Sequence, residues 1–210
     1  MKQLLLMFSF VFLASFVVSQ RWAYATPALV DTTWLAKHQA DDSPLDLYII
    51  EVFAREADDK HDKHIPKAIK TIYQTDGWVK NKIHLKGLLP DFETLTNVAA
   101  NLGISQKKHI VLVAMQDNAH TLAATLRIYW ILRMLGVSSL SVLNGGFYAY
   151  QQAELPTNNR AIQPIRKLFD AQIQANAVAY TPDVKQAIQH YTPLIDMRLE
   201  DFYHGTDKHA

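Results

Sequence analysis

No cysteine occurs in the 210 residues of this chain. That absence excludes disulfide staples and any thiolate chemistry within these residues, so the fold has to rest on its buried core. An excess of charge of one sign is also missing. The 21 Lys and Arg residues face 20 Asp and Glu, and with Lys2 and Arg21 assigned to a leader the basic count falls to 19. A near-neutral chain offers no electrostatic footprint for nucleic acid. Nor is there an apolar run of ordinary membrane-span length, since the longest, Leu4 to Val18, is short for a crossing helix. With 49% hydrophobic and 20% charged residues the composition is that of a globular protein, long enough for one full domain and part of another.

The first 25 residues stand apart. Met1-Lys2 forms a short positive start, the apolar run follows, and Ala23-Tyr24-Ala25 is the small-x-small pattern that signal peptidases cut. The expectation is a signal peptide over residues 1–25, cleaved after Ala25, which places the mature chain in the periplasm or outside the cell, free of the membrane. The competing reading keeps the run as a single anchor that tethers the same domain outside the membrane.

Beyond the leader, Asp31, Thr32 and Thr33 can cap a short helix that includes Trp34 and Leu35. "LDLYIIEVF" (Leu45 to Phe53) reads as a buried strand, and a charged loop separates it from a second short strand around Ile69 to Tyr73. "LPDFETLTNVAANLG" is a helix with Asp91 as cap, Phe92, Leu95, Ala99 and Leu102 on one face, and Gly103 at its end. The strand "HIVLVAM" follows, then a polar loop and a helix from Thr121 to Leu135. Its apolar residues, broken only by Thr121, Thr125, Arg127 and Arg133, predict burial against a sheet. "SSLSVL" gives another strand, Gly145-Gly146 a turn into a close-packed helix, and "FYAYQQAE" that helix.

Strands and helices thus alternate, which predicts an α/β fold with a parallel sheet flanked by helices on both faces. A polar connector, roughly Pro156 to Pro164, closes the unit. Past it a second, similar unit starts: Thr181-Pro182 opens a helix and "PLIDMR" is expected as a new strand. Both units show an apolar strand ending in an acid (Glu51, Asp196), a charged stretch and a Lys-His pair (Lys63-His64, Lys208-His209), a weak repeat that argues for tandem domains.

These residues resemble the rhodanese, or thiosulfate sulfurtransferase, family in its two-domain form. The resemblance runs from Ala28 to the C-terminus through "LVDTTWLAKH", "HIPKA" (the family's His-Ile-Pro-Gly-Ala block), "LRIYWILRMLG", "VLNGGFYAYQQAELP" and "LIDMRLEDFYHG". It implies a first rhodanese-like domain over residues 26–163, then a linker and the incomplete start of a second domain over residues 164–210, in a chain truncated before that domain's active loop. It also implies transfer of a sulfane sulfur from a thiosulfate-like donor to a thiophilic acceptor through a cysteine persulfide, with no cofactor and no metal. The implied partners are a small sulfur-containing anion and the second domain packed on the first.

In such a site a cysteine thiolate sits at a strand-to-helix loop, stabilised by backbone N–H groups and the helix dipole. Here Met115 stands in its place, and a thioether cannot be deprotonated. Glu51, Phe53 and Lys67 also stand where the family usually has Asp, Arg and Gly. These departures match a non-catalytic first domain, and the 210 residues are expected not to turn over substrate. The rival expectation is a cysteine-free binding or regulatory module that recognises its ligand through Gln116 to Thr121.

Several residues carry a plainer reading as well. Met115 is expected as a core residue. His61 and His64, with Asp59 and Asp62, have metal-ligating chemistry, yet a charged solvated loop is the expectation because no helix converges them. His120 is a general-base candidate or an exposed loop histidine. For Asp196 and Arg198 a substrate-orienting role and a structural ion pair are both open.

Overall fold

The computed structural model describes residues 27–40, 43, 45–59 and 62–207. The proposed leader, its cleavage site, His61 and the Lys208-His209 pair lie outside the described residues. Among the described residues no helix is long and apolar enough to cross a membrane.

The elements in chain order are β1 (Leu29–Val30), α1 (Thr32–Gln39), β2 (Leu47–Phe53), β3 (Ile69–Ile72), β4 (Lys80–Lys82), β5 (Leu85–Leu88), α2 (Phe92–Asn101), β6 (His109–Ala114), α3 (Ala119–Met134), β7 (Leu140–Leu143), α4 (Gly146–Gln152), α5 (Thr181–Gln189) and α6 (Glu200–His204). One five-stranded sheet runs in the order β1-β7-β6-β2-β3 with every pair parallel. The α/β expectation holds.

Strand periodicity divides the core. Ile50 and Val52 of β2, with Ile110 and Leu112 of β6, face Leu95 and Ala99 of α2 and Ile128, Ile131 and Leu132 of α3. Ile49 and Phe53, with Val111 and Val113, face the opposite way against Leu35 of α1 and Phe147 and Tyr150 of α4. Because both faces are covered, β2 and β6 can be apolar almost throughout, and the buried exceptions at Glu51 and His109 therefore call for partners.

The helices start where their caps allow. Asp31 accepts from the Trp34 N–H at 2.7 Å and Asp91 from that of Thr94 at 2.8 Å. Asn118 caps α3 by accepting from Thr121 N–H at 2.9 Å. Two polar exceptions on α3 turn inward, for Thr121 and Thr125 are buried, whereas Leu122 and Leu126 are about half exposed (48% and 49%).

From Pro156 to Val178 the chain stays on this unit. Ile162 N–H donates to Ala68 O, Lys167 N–H to Ala100 O, and Gln172 and Gln174 N–H to Leu135 O and Met134 O. Phe169 is buried in the α2/α3 layer. The linker is thus a strap across the ends of α2 and α3.

One expectation fails. Pro193 to Arg198 is not a strand. Leu194, Ile195 and Met197 are exposed, and no described strand lies beside them to complete a ladder, so high β-propensity alone does not order the segment as sheet. Three features were unforeseen: β1, only two residues long, the antiparallel β4–β5 hairpin, and the five-residue helix α6.

Candidate functional site

The site lies at the carboxyl end of the parallel sheet, where β6 runs into α3 through Met115 to Asn118. Met115 continues the odd-numbered face of β6. Its side chain is only 2% exposed and packs in the α1/α4 layer with Phe53, Ile65 and Phe147, while its N–H donates to Val52 O at 3.1 Å. The core reading of Met115 is the one the structure bears out.

The loop's polar side chains are committed within the fold. Gln116 Nε2 donates to Asp58 O at 2.8 Å, and Gln116 Oε1 accepts from Thr121 Oγ1 at 3.0 Å. With Asn118 holding the Thr121 N–H, the loop is braced from inside. The left-handed turn at Gly145 and Gly146 (φ +73° and +56°) presses the start of α4 onto this end of β6. A Cβ at Gly146 would come within 2.5 Å of Ala114 O, so the approach requires glycine, as the pattern predicted.

Glu51 and His64 correct the sequence reading. His64 is not part of a solvated loop: it is 8% exposed, and its Nδ1 lies 2.6 Å from Oε2 of the fully buried Glu51. The other carboxylate oxygen, Oε1, accepts the Ile65 N–H at 2.7 Å. Burial raises the Glu51 carboxyl above its ordinary range, against the opposing hydrogen bonds from His64 and Ile65. The pair anchors the "HIPKA" block to β2. Asp59 forms an ion pair with Lys70 instead of converging with His64, and Asp62 is exposed. Among the described residues no group of three or more His, Asp or Glu side chains could hold a metal ion. Next to the block, Lys67 holds a left-handed φ of +65°.

His120 is the second residue of α3 and is exposed. It lines an open cleft of about 470 Å³ with Arg55, Tyr73, Gln74, Ala123, Ala124 and Arg127, beside the hairpin glycine Gly87. Arg55 and Arg127 in this setting escaped the sequence reading. The signal was present, because His120, Ala123, Ala124 and Arg127 follow the i, i+3, i+4, i+7 spacing of one helix face.

Asp196 and Arg198 form a two-point pair with each other, at 2.6 Å from Nη2 to Oδ2 and 3.0 Å from Nε to Oδ1. These hydrogen bonds hold the Asp196 carboxyl down to about 2. Their hydrogen bonds are mutual, and none reaches the β6–α3 loop.

The family model for the rhodanese-like domain matches residues 31–153. The chain is 27% identical over 181 residues to 3-mercaptopyruvate sulfurtransferase of Escherichia coli (strain K12), covering 83% of this chain and 62% of that protein. It is 27% identical over 188 residues to thiosulfate sulfurtransferase of Cricetulus griseus, covering 86% and 62%. The crystal structure of SseA, a 3-mercaptopyruvate sulfotransferase from Escherichia coli, superposes with a TM-score of 0.63 at 26% identity over 80% of this chain and 63% of that one. The chain therefore spans somewhat less than two thirds of the length of each of these three proteins.

Proposed function

The chain belongs to the rhodanese-like domain family, and from that premise we propose that it serves rhodanese-type sulfur transfer as a domain that does not itself carry the sulfur. A sulfane sulfur moves from a thiosulfate-like or mercaptopyruvate-like donor to a thiophilic acceptor by two displacements on a cysteine, and that cysteine belongs to a second rhodanese-like domain outside these 210 residues. The single observation that carries the reading is Met115, a buried thioether at the carboxyl end of β6 where the nucleophile's loop begins. A thioether has no proton to lose and cannot hold a transferable persulfide.

Two further features support a second domain as partner. Leu122 and Leu126 leave an apolar strip on the outer face of α3, and the segment from Tyr191 to Leu199 exposes Leu194, Ile195 and Met197. The leader pattern of residues 1–25 supports export, with the mature chain in the periplasm or secreted. For Asp196 and Arg198, at the start of the second unit, orienting the anionic donor is proposed alongside the structural ion pair they form with each other.

The test is covalent. After exposure to thiosulfate, the 210-residue chain should show no mass gain of one sulfur atom, and the product of the gene's whole reading frame should show it on a cysteine. A whole product that never gains sulfur would contradict the reading.

The cation-lined cleft beside the loop favours a second reading, a cysteine-free module that binds a small anion without turnover.

A further inference from the structure

We propose that the cleft between the end of β2, Tyr73 and the first two turns of α3 is a binding site for a small oxyanion, distinct from the β6–α3 loop. Its lining residues include Arg55, Arg127 and His120, and no acidic side chain is among them. The loop itself is a poor receptor, because Gln116 and Asn118 already direct their polar atoms to Asp58, Thr121 and the α3 cap.

Three features make the cleft a receptor. Arg127 is the uncompensated cation: no carboxylate pairs with it among the described residues, and its guanidinium lies 4.6 Å from the centre of the Trp130 ring, which positions a side chain that would otherwise be mobile. Across the cleft, burial raises the Tyr73 phenol, and the nearby Arg127 charge offsets part of that rise. Arg55, just past the end of β2, is steadied by Asp58 at 3.2 Å while leaving donor nitrogens available, since the pair uses only Nε and Nη2. Between His120 and Arg127 stand Ala123 and Ala124, whose small side chains leave the floor open.

Planar guanidinium forks suit oxyanions of phosphate, sulfate or thiosulfate geometry, and the volume of about 470 Å³ admits such a group on a small organic body. The site stands whether or not the chain takes part in sulfur transfer, because its readout is binding and not turnover.

The experiment is calorimetric titration of the 210-residue chain with inorganic phosphate, thiosulfate and phenyl phosphate, at constant ionic strength against sodium chloride. Saturable binding is expected, weakened about tenfold by Arg127→Gln, in line with the loss of one charge-assisted contact. Arg55→Gln should weaken it less, and Arg127→Lys should retain part of it. Tighter binding of phenyl phosphate would assign the site to an anion borne on an organic molecule, and equal binding to the free ion. An absence of saturable heat, or full affinity in an Arg127→Gln variant with an unchanged urea midpoint, would overturn the proposal.

Discussion

His64 Nδ1 lies 2.6 Å from Glu51 Oε2, and both side chains are buried where β2 meets the start of the "HIPKA" block. A carboxylate in the middle of an apolar strand is tolerated because both of its oxygens are engaged, one by His64 and one by the Ile65 N–H. His64→Ala should therefore destabilise the fold by about 2–4 kcal/mol, the range for stranding one partner of a buried polar pair. Glu51→Gln keeps an acceptor for Ile65 and should cost about 1 kcal/mol. Urea midpoints measure both, and equal losses would contradict the pairing.

The pH profile should carry two opposed slopes. Burial raises Glu51 above its ordinary 4.5, so the stability it contributes is full below that value and is lost as pH rises through the folded-state pKa. His109, hydrogen-bonded to Ser139 and Ser141, is driven from 6.5 down to about 4 by burial, with His38 adding to the effect. Its contribution is full above 6.5 and is lost as pH falls toward about 4. Urea midpoints across this interval should lose their acid-side decline in His109→Gln and their opposing decline in Glu51→Gln. An unaltered slope in either variant would count against that assignment.

Backbone conformation gives a paired test. Gly146→Ala must place a Cβ 2.5 Å from Ala114 O at a φ of +56°, and should destabilise by more than about 2 kcal/mol. Lys67→Gly relieves a left-handed φ of +65° and should be neutral or stabilising by up to about 1 kcal/mol. Chemical denaturation of the two variants should move the midpoint in opposite directions or leave Lys67→Gly at the parent value.

Much of this was legible beforehand. The apolar runs of β2, β6 and β7 and the Asp91-to-Gly103 helix follow local rules of period and capping, and they appear within a few residues of the expected bounds. Local rules stopped where long-range partners decide. Pro193 to Arg198 has strand composition but no neighbouring strand, and β1 is a strand only because Val142 and Asn144 N–H donate to Ala28 O and Val30 O. His64 looked solvated from its charged neighbours, and only the parity of Glu51 on β2 brings the two together. In the site, Met115 was readable because a missing thiol is a chemical fact, whereas the cleft depends on β2, β3 and α3 meeting in space.

Putting a thiol back should not restore chemistry. Met115→Cys would bury the sulfur in an apolar layer with Phe53, Ile65 and Phe147, which raises a thiol's pKa and shields it. The variant should react with a thiol reagent in urea but not in its folded state. Rapid labelling of the folded variant would show that position 115 opens toward the loop.

The central claim, that this chain is the silent member of a sulfur-transferring pair, is tested most directly by incubating the purified 210-residue chain with thiosulfate and cyanide and measuring thiocyanate. Formation no faster than in the protein-free control is expected. A rate that rises in proportion to the concentration of this cysteine-free chain would contradict the account.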